Sequence, residues 1–323
     1  MNNLKKIGLT ALAGSLVAVT AHAGEMTVTG GAALYMTNGA KNAKTTVSND
    51  DHVTFSGTTE LDNGFEVTYS VQLDGDEADN GVIDNNSVSV NTNGMGTFTY
   101  AGHGGDGAMS AMDDKTPNAY EEAWDGLGGT TAIVINGHSA NDMITYTSED
   151  FSGAVVTVGF VPSEATGTDA TTKAAANDQT YVDFGVTITP EAVDGLTVGY
   201  AMGTTELTEG TEVDESTMYA TYAYGSFTFG YQVSDYDAPT AAASDDSTAW
   251  GISYNITDDF SVAYNEHTVD IGSSTTDQEA DGISASYTMG GITIAGHKNE
   301  MTSVNGASGT DDEGYELMLS FAF

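Results

Sequence analysis

A strict two-residue alternation of apolar and polar side chains, repeated along most of the chain, constrains this protein more than any other feature. Phe65, Val67, Tyr69, Val71 and Leu73 alternate with Glu66, Thr68, Ser70 and Gln72. The same rhythm returns from Leu196 to Met202, from Phe227 to Val233 and from Trp250 to Ile256. An extended chain turns successive side chains to opposite faces, so each stretch is expected to be a strand with one apolar and one polar face. Sixteen such strands are predicted, at 25–36, 52–61, 65–73, 86–92, 97–103, 142–148, 154–161, 179–189, 196–206, 214–225, 227–236, 247–256, 260–270, 280–289, 291–300 and 312–323. No comparable amphipathic helix follows the first segment, and Pro117, Pro162, Pro190 and Pro239 all fall in connections.

The connections alternate in length. Short turns such as Leu61 to Gly64, Asn93 to Gly96 and Gly225-Ser226 take turns with long acidic loops at 37–51, 74–85, 104–141, 162–178, 207–213, 237–246, 271–279 and 301–311. In an up-and-down sheet this sorting puts every short turn on one edge and every long loop on the other. That is the organisation of an outer-membrane barrel, with both termini on the short-turn side. The faces agree. The polar face is mostly Gly, Ser, Thr, Ala and Asn, whereas the apolar face is rich in Tyr, Phe and Val. Tyr69, Tyr222, Tyr224, Tyr287 and Tyr315 stand near strand ends, where interfacial aromatic girdles form. The expected fold is therefore all-β, a transmembrane antiparallel up-and-down barrel. An extracellular, calcium-dependent β-sandwich or adhesin is the alternative fold.

The first 23 residues read as a signal peptide: Lys5 and Lys6, an apolar run from Ile7 to Ala21, and the small-x-small site Ala21-His22-Ala23. The remaining 24–323 would form the barrel. Against 47 acids the chain sets seven Lys and no Arg, for a formal net charge of -40. Such a chain builds no basic patch, so nucleic acid is excluded as a partner. Cys is 0, which excludes disulfides, thiolate metal sites and a Cys nucleophile.

Sixteen strands ~4.8 Å apart and tilted ~40° enclose a barrel on the order of 100 Å around and ~32 Å across. At that size the lumen is aqueous. Small inward residues such as Gly199, Ala201, Gly230 and Ser253 do not fill it. The loop at 104–141, the longest connection, is expected to fold into the lumen. It carries Asp106, Asp113, Asp114, Glu121, Glu122 and Asp125 against Lys115. Met109, Met112, Tyr120, Trp124 and Leu127 make it too apolar for a freely solvated loop. Carboxylates presented to a pore favour cations.

The chain ends on Tyr315-Glu316-Leu317-Met318-Leu319-Ser320-Phe321-Ala322-Phe323, alternating to the last residue. With the leader, the strand count, the loop alternation and the long loop after the fifth strand, the sequence resembles the general bacterial porins of the outer membrane, the alpha-proteobacterial type most of all. The resemblance spans the mature chain as a pattern. It implies a homotrimer of separate pores in outer-membrane lipid, passing small hydrophilic solutes and cations without catalysis. It also implies a constriction built by the third outside loop, with Asp106, Asp113, Asp114, Glu121, Glu122 and Asp125 on its acid side. Tyr315, Leu319, Phe321 and Phe323 would be the signal read by the barrel-assembly machinery. The chain departs from the family in one respect: such porins commonly face the acids with an arginine cluster, whereas here Lys298 is the only Lys on a predicted strand.

Other patterns weigh less. Gly102-His103-Gly104-Gly105-Asp106-Gly107 fits a dinucleotide fingerprint, but no helix or βαβ unit follows, and the plain reading is a loop entrance. Asp74, Asp76 and Asp79 are candidate ligands for a structural Ca²⁺, although the EF-hand register fails. A barrel hydrolase, the alternative activity, would need a Ser-His-acid set, and no spacing here suggests one.

Overall fold

The computed structural model describes residues 26–39, 43–74, 83–127, 141–162, 180–208, 211–240 and 244–323. The leader at 1–23 lies outside them. The strands are β1 (Met26–Asn38), β2 (Thr46–Glu60), β3 (Glu66–Asp74), β4 (Ile83–Asn91), β5 (Thr97–His103), β6 (Met143–Thr147), β7 (Ala154–Val161), β8 (Thr180–Ile188), β9 (Leu196–Thr208), β10 (Thr211–Tyr224), β11 (Phe227–Asp237), β12 (Asp245–Thr257), β13 (Phe260–Ile271), β14 (Gln278–Met289), β15 (Ile292–Thr302) and β16 (Asp312–Ala322). Each pairs antiparallel with its neighbour in chain order, and β16 returns to β1 to close the barrel.

Closure is what makes so long a sheet viable in a membrane, because an open edge would leave a row of backbone donors and acceptors without water. The seam sets Leu34 opposite Leu319 and Ala32 opposite Phe321. Beyond it, Phe323 donates its N–H to the Gly30 carbonyl (3.0 Å) and accepts from the Gly30 N–H (2.9 Å). One closed barrel excludes the sandwich. Among the described residues no helix is long and apolar enough to cross a membrane.

The register assigns each strand face. Phe55, Tyr69, Val88 and Phe98 share one side, as do Met218, Tyr231 and Trp250. These are exposed large apolar side chains, Met218 at 55% and Tyr231 at 52%. A continuous exposed band of this kind is solvated by hydrocarbon. The opposite side is lined by Gly, Ser, Thr and Asn and faces the lumen.

The ends of the strands depart from the sequence reading. The expected loop at 207–213 is strand almost throughout, since β9 and β10 run to Thr208 and from Thr211. β2 starts at Thr46 rather than near residue 52. Above the bilayer both faces of a strand are wet, so pairing continues while the apolar-polar alternation fades. Thr and Asp then hold the ladder, as where the Thr204 hydroxyl donates to Asp214 (2.7 Å). Acids expected in the loops also sit on these extensions: Asp50 and Asp51 on β2, Glu212 on β10, Asp237 on β11, Asp245 and Asp246 on β12 and Glu279 on β14.

Candidate functional site

The segment from Gly104 to Leu127 leaves β5 and lies along the inner face of the wall from β8 to β16. Its backbone is tied down by inward side chains of successive strands. Asp183 on β8 accepts from the Met109 N–H (3.0 Å). Gln232 on β11 accepts from the Lys115 N–H (2.8 Å) and donates to the Met112 carbonyl (2.8 Å). Asn265 on β13 donates to the Pro117 carbonyl (2.7 Å), and Ser284 on β14 accepts from the Ala119 N–H (3.1 Å). Asn299 on β15 donates to the carbonyls of both Glu122 (2.7 Å) and Asp125 (2.9 Å). Glu316 on β16 accepts from the Tyr120 hydroxyl.

Glycines in the wall make room for this segment. A Cβ on Gly185 would lie 2.9 Å from Met112 and 3.0 Å from Ala108; one on Gly203 would lie 3.1 Å from Met109; one on Gly282 would lie 3.2 Å from the Ala123 backbone. Gly230 and Gly251 lie against Pro117 in the same way. The apolar side chains then find pockets. Met109 (0% exposed) and Met112 (3%) pack with Ala201 and Tyr219, and Trp124 packs with Ala123, Ala249, Ala280 and Met301. The Trp124 ring lies 4.4 Å from that of His267. Burying a Met side chain contributes roughly 1.5–3 kcal/mol, against ~0.5–1.5 kcal/mol net for one hydrogen bond. Apolar seating therefore matters at least as much as the polar ties.

The carboxylates fall into two groups. Burial pushes the Asp113 carboxyl up to about 8, with neighbouring Asp114 adding to the effect. Asp114 itself stands in the left-handed region, at φ 39. Glu121, Glu122 and Asp125 form the second group, with one carboxylate oxygen from each within 4.8 Å of the others. Burial first, then the like charge of Asp125, pushes Glu121 up to about 7. Burial, then Asp114 and Asp125, pushes Glu122 up to about 9. Near neutral pH these carboxyls share protons, so the formal charge of the loop overstates its field. The Tyr120 hydroxyl is raised by burial and by the Glu316 carboxylate beside it.

Of the acids singled out in sequence, Asp106 stands exposed at the loop entrance and joins neither group. Glu316 and Tyr35 lie near Glu121, with Asp50 on Tyr35, and sequence reasoning gave them no role. Period two places Glu316 on the polar face of the last strand, which was the available signal. The glycine-rich stretch at 102–107 is a loop entrance: Gly104 has φ +66, and Gly107 lies directly on the Asp183 carboxylate. Lys298 faces outward, in a row with Ile283 and Tyr315, and pairs with Glu300 at 2.6 Å. It therefore offers no basic wall to the lumen. Tyr315, Leu319 and Phe321 lie on the outward face of β16. Asp74 ends β3, whereas Asp76 and Asp79 lie outside the described residues.

Residues 8–271 match the sequence model of a family described as Gram-negative porin. No curated protein sequence matches the chain. Among solved structures, the anion-selective porin from Comamonas acidovorans is 15% identical, with 93% of this chain and 99% of that one covered at a TM-score of 0.66. OmpT, an outer membrane protein of Vibrio cholerae folded in vitro and seen in a trimer form, is 14% identical over 93% and 100% of the two chains, at 0.67. A mutant of the Rh. blastica porin is 16% identical over 93% and 100%, at 0.62. Identities this low speak for a shared fold alone.

Proposed function

The chain belongs to the Gram-negative porin family, a channel of the outer membrane, and on that premise we propose that it passes small hydrophilic solutes and ions passively, prefers cations, performs no catalysis and works as a homotrimer. The observation that carries the cation preference is the loop inside the barrel. It carries Asp113, Asp114, Glu121, Glu122 and Asp125, which in this reading set the charge of the pore, and the one strand Lys among the described residues, Lys298, stands on the outward face. The fold does not set this preference, since the Comamonas acidovorans porin of similar architecture is described as anion-selective. Charge at the narrowest point does, because low-dielectric walls focus its field. In this reading 104–127 narrows the pore, and the trimer form of OmpT supports the assembly state. Tyr315, Leu319, Phe321 and Phe323 present the outward strand that the assembly machinery would engage. The test is planar-bilayer recording in a KCl gradient. A reversal potential of the cation-selective sign, with conductance in steps of three, is expected. An anion-selective sign would overturn the charge reading, and no conductance would overturn the channel.

A further inference from the structure

The outward apolar band is not of even height. Counted from the short turns, the outward side chains of β12 run Ile256, Tyr254, Ile252, Trp250 and Thr248 before the first charge, at Asp246. On β13 they run Phe260, Val262 and Tyr264 before Glu266, and on β15 Ile292, Ile294 and Gly296 before Lys298. At ~3.4 Å per residue and a tilt of ~40°, the first charge stands ~26 Å up β12 but only ~16 Å up β13 and β15. An outward apolar band is about 25 Å tall, so charge dips into the membrane at this part of the wall. The register sets Glu266, Asp281, Glu300 and Glu313 side by side from β13 to β16, starting beside Trp250.

Next to this row the wall is hollowed. A groove of about 860 Å³ has the small residues Ala285 and Gly296, paired with each other, on its floor. Tyr264, Ile283 and Lys298 form its rim on the charged side and Tyr287 stands on the other. The volume falls in the ~300–1,000 Å³ range of pockets that enclose small ligands. Any acyl chain of the bilayer fits an apolar hollow, since lipid tails are as apolar as the wall, so the headgroup decides which lipid stays. Lys298 stands where the groove meets the acids. Its Nζ lies 2.6 Å from Glu300, and the charges of Glu313 and Asp281 also act on it. Four carboxylates against one ammonium leave the row negative. A second copy of the chain would worsen this: it brings 47 acids and no Arg, and among the described residues no strand Lys but Lys298. A lipid carrying phosphate alone is repelled for the same reason.

We propose that the outward face of β13–β15 binds a phospholipid whose headgroup carries both a phosphate and a primary amine, as phosphatidylethanolamine does, with an acyl chain in the groove over Ala285 and Gly296. The phosphate takes Lys298. The ammonium, with three N–H donors, takes the carboxylates of the row; a quaternary ammonium has no donor to give them. Such a lipid brings its polar head down to the level of the charges and fills the hollow below them. It thereby covers the part of the wall where the apolar band is too short. The site is a property of the outer wall and holds whether or not the barrel conducts.

The fluorescence of Trp250 reports on the site. Its ring lies 5.5 Å from that of Tyr264 on the rim, and it is 40% exposed on the outer face. Trp124, the other tryptophan, is buried in the lumen and gives a constant background. The folded barrel is placed in dioleoylphosphatidylcholine vesicles with a minor fraction of chain-brominated phosphatidylethanolamine, phosphatidylcholine or phosphatidylglycerol. Bromine quenches on contact. Brominated phosphatidylethanolamine is expected to quench best, with a roughly tenfold preference over phosphatidylcholine, as a charge-assisted hydrogen bond gives. The preference should fall in Lys298→Gln and vanish in E266Q/D281N/E300Q/E313Q. Ala285→Leu, which fills the floor, should reduce quenching by every lipid. All these side chains face outward, and circular dichroism confirms that each variant folds. Equal quenching by phosphatidylethanolamine and phosphatidylcholine, or a preference that survives the quadruple variant, would overturn the headgroup site. Preference for phosphatidylglycerol would overturn the amine. Displacement by an equal fraction of lipopolysaccharide would make a glycolipid the occupant and overturn the phospholipid. Quenching in monomers that is lost in trimers would show that a second copy covers this face.

Discussion

Removing the Asn299 side chain should loosen the lumenal loop while leaving the wall intact. Asn299 is 1% exposed and donates two hydrogen bonds into the loop, at 2.7 Å to the Glu122 carbonyl and 2.9 Å to the Asp125 carbonyl. Each such bond is worth ~0.5–1.5 kcal/mol net, so Asn299→Ala should cost about 1–3 kcal/mol of seating. With about 1.4 kcal/mol per decade, the detached population of the loop rises roughly 5- to 150-fold. Hydrogen exchange reads this directly. The Lys115 and Ala119 amides are protected by Gln232 and Ser284 of the wall, and exchange in the fast-reclosing limit accelerates by the same factor. Amides in the wall pairing of β14 with β15 should keep their wild-type rates, because their partners are backbone groups of neighbouring strands. Open-channel noise should rise in parallel. Unchanged exchange at 107–125 would refute the clamp; equal acceleration in the loop and in β14–β15 would show that Asn299 holds the wall instead.

Changing Asp113, Asp114, Glu121 and Glu122 together to Asn or Gln should move the reversal potential toward zero. Removing as many acids from 74–85 should move it less, because outer charges are screened within roughly 8–10 Å at 0.1–0.15 M salt; equal shifts would remove 104–127 from the narrowest point. Asp113, pushed up to about 8, is protonated at pH 6 and charged at pH 9, so cation preference should climb over that range and climb less in Asp113→Asn. The same shift makes the folded state the tighter proton binder. Its contribution to stability falls as pH rises from the unfolded carboxylate value near ~4 to about 8 and is flat beyond, which a melting series in wild type and Asp113→Asn checks. Gly203→Val would drive a side chain into the Tyr181 hydroxyl and Met109, costing ~1–3 kcal/mol and accelerating loop exchange; wild-type exchange would argue against the glycine seat. Deleting Phe323 removes both bonds to Gly30 at the seam, and membrane-inserted levels should drop; normal levels would contradict its role in assembly.

Period two is a local property of the chain, which is why sixteen strands, their order and the sorting of long loops to one rim were legible in sequence. Lipid on one side and water on the other impose alternation residue by residue, so the pattern reports the membrane-embedded part of each strand. It stops where both faces become wet. The true ends of β2, β9 and β10 were for that reason invisible, and acids such as Glu212 and Asp246 looked like loop residues. The acidic and apolar content of 104–127 marked it as a segment with something to pack on. Nothing local said what. Gly185, Gly203, Gly230, Gly251 and Gly282 stand far apart in sequence, and as isolated letters they read as small residues of an open lumen. Only barrel closure lines them up as the seat of one loop. The same closure brings Glu316 and His297 from the last two strands beside Glu121 and Asp125, some 170 to 200 residues earlier, and turns Lys298 outward. Which carboxylates share protons depends on how tightly 104–127 is folded and buried against the wall, and that wall exists only once β16 has found β1.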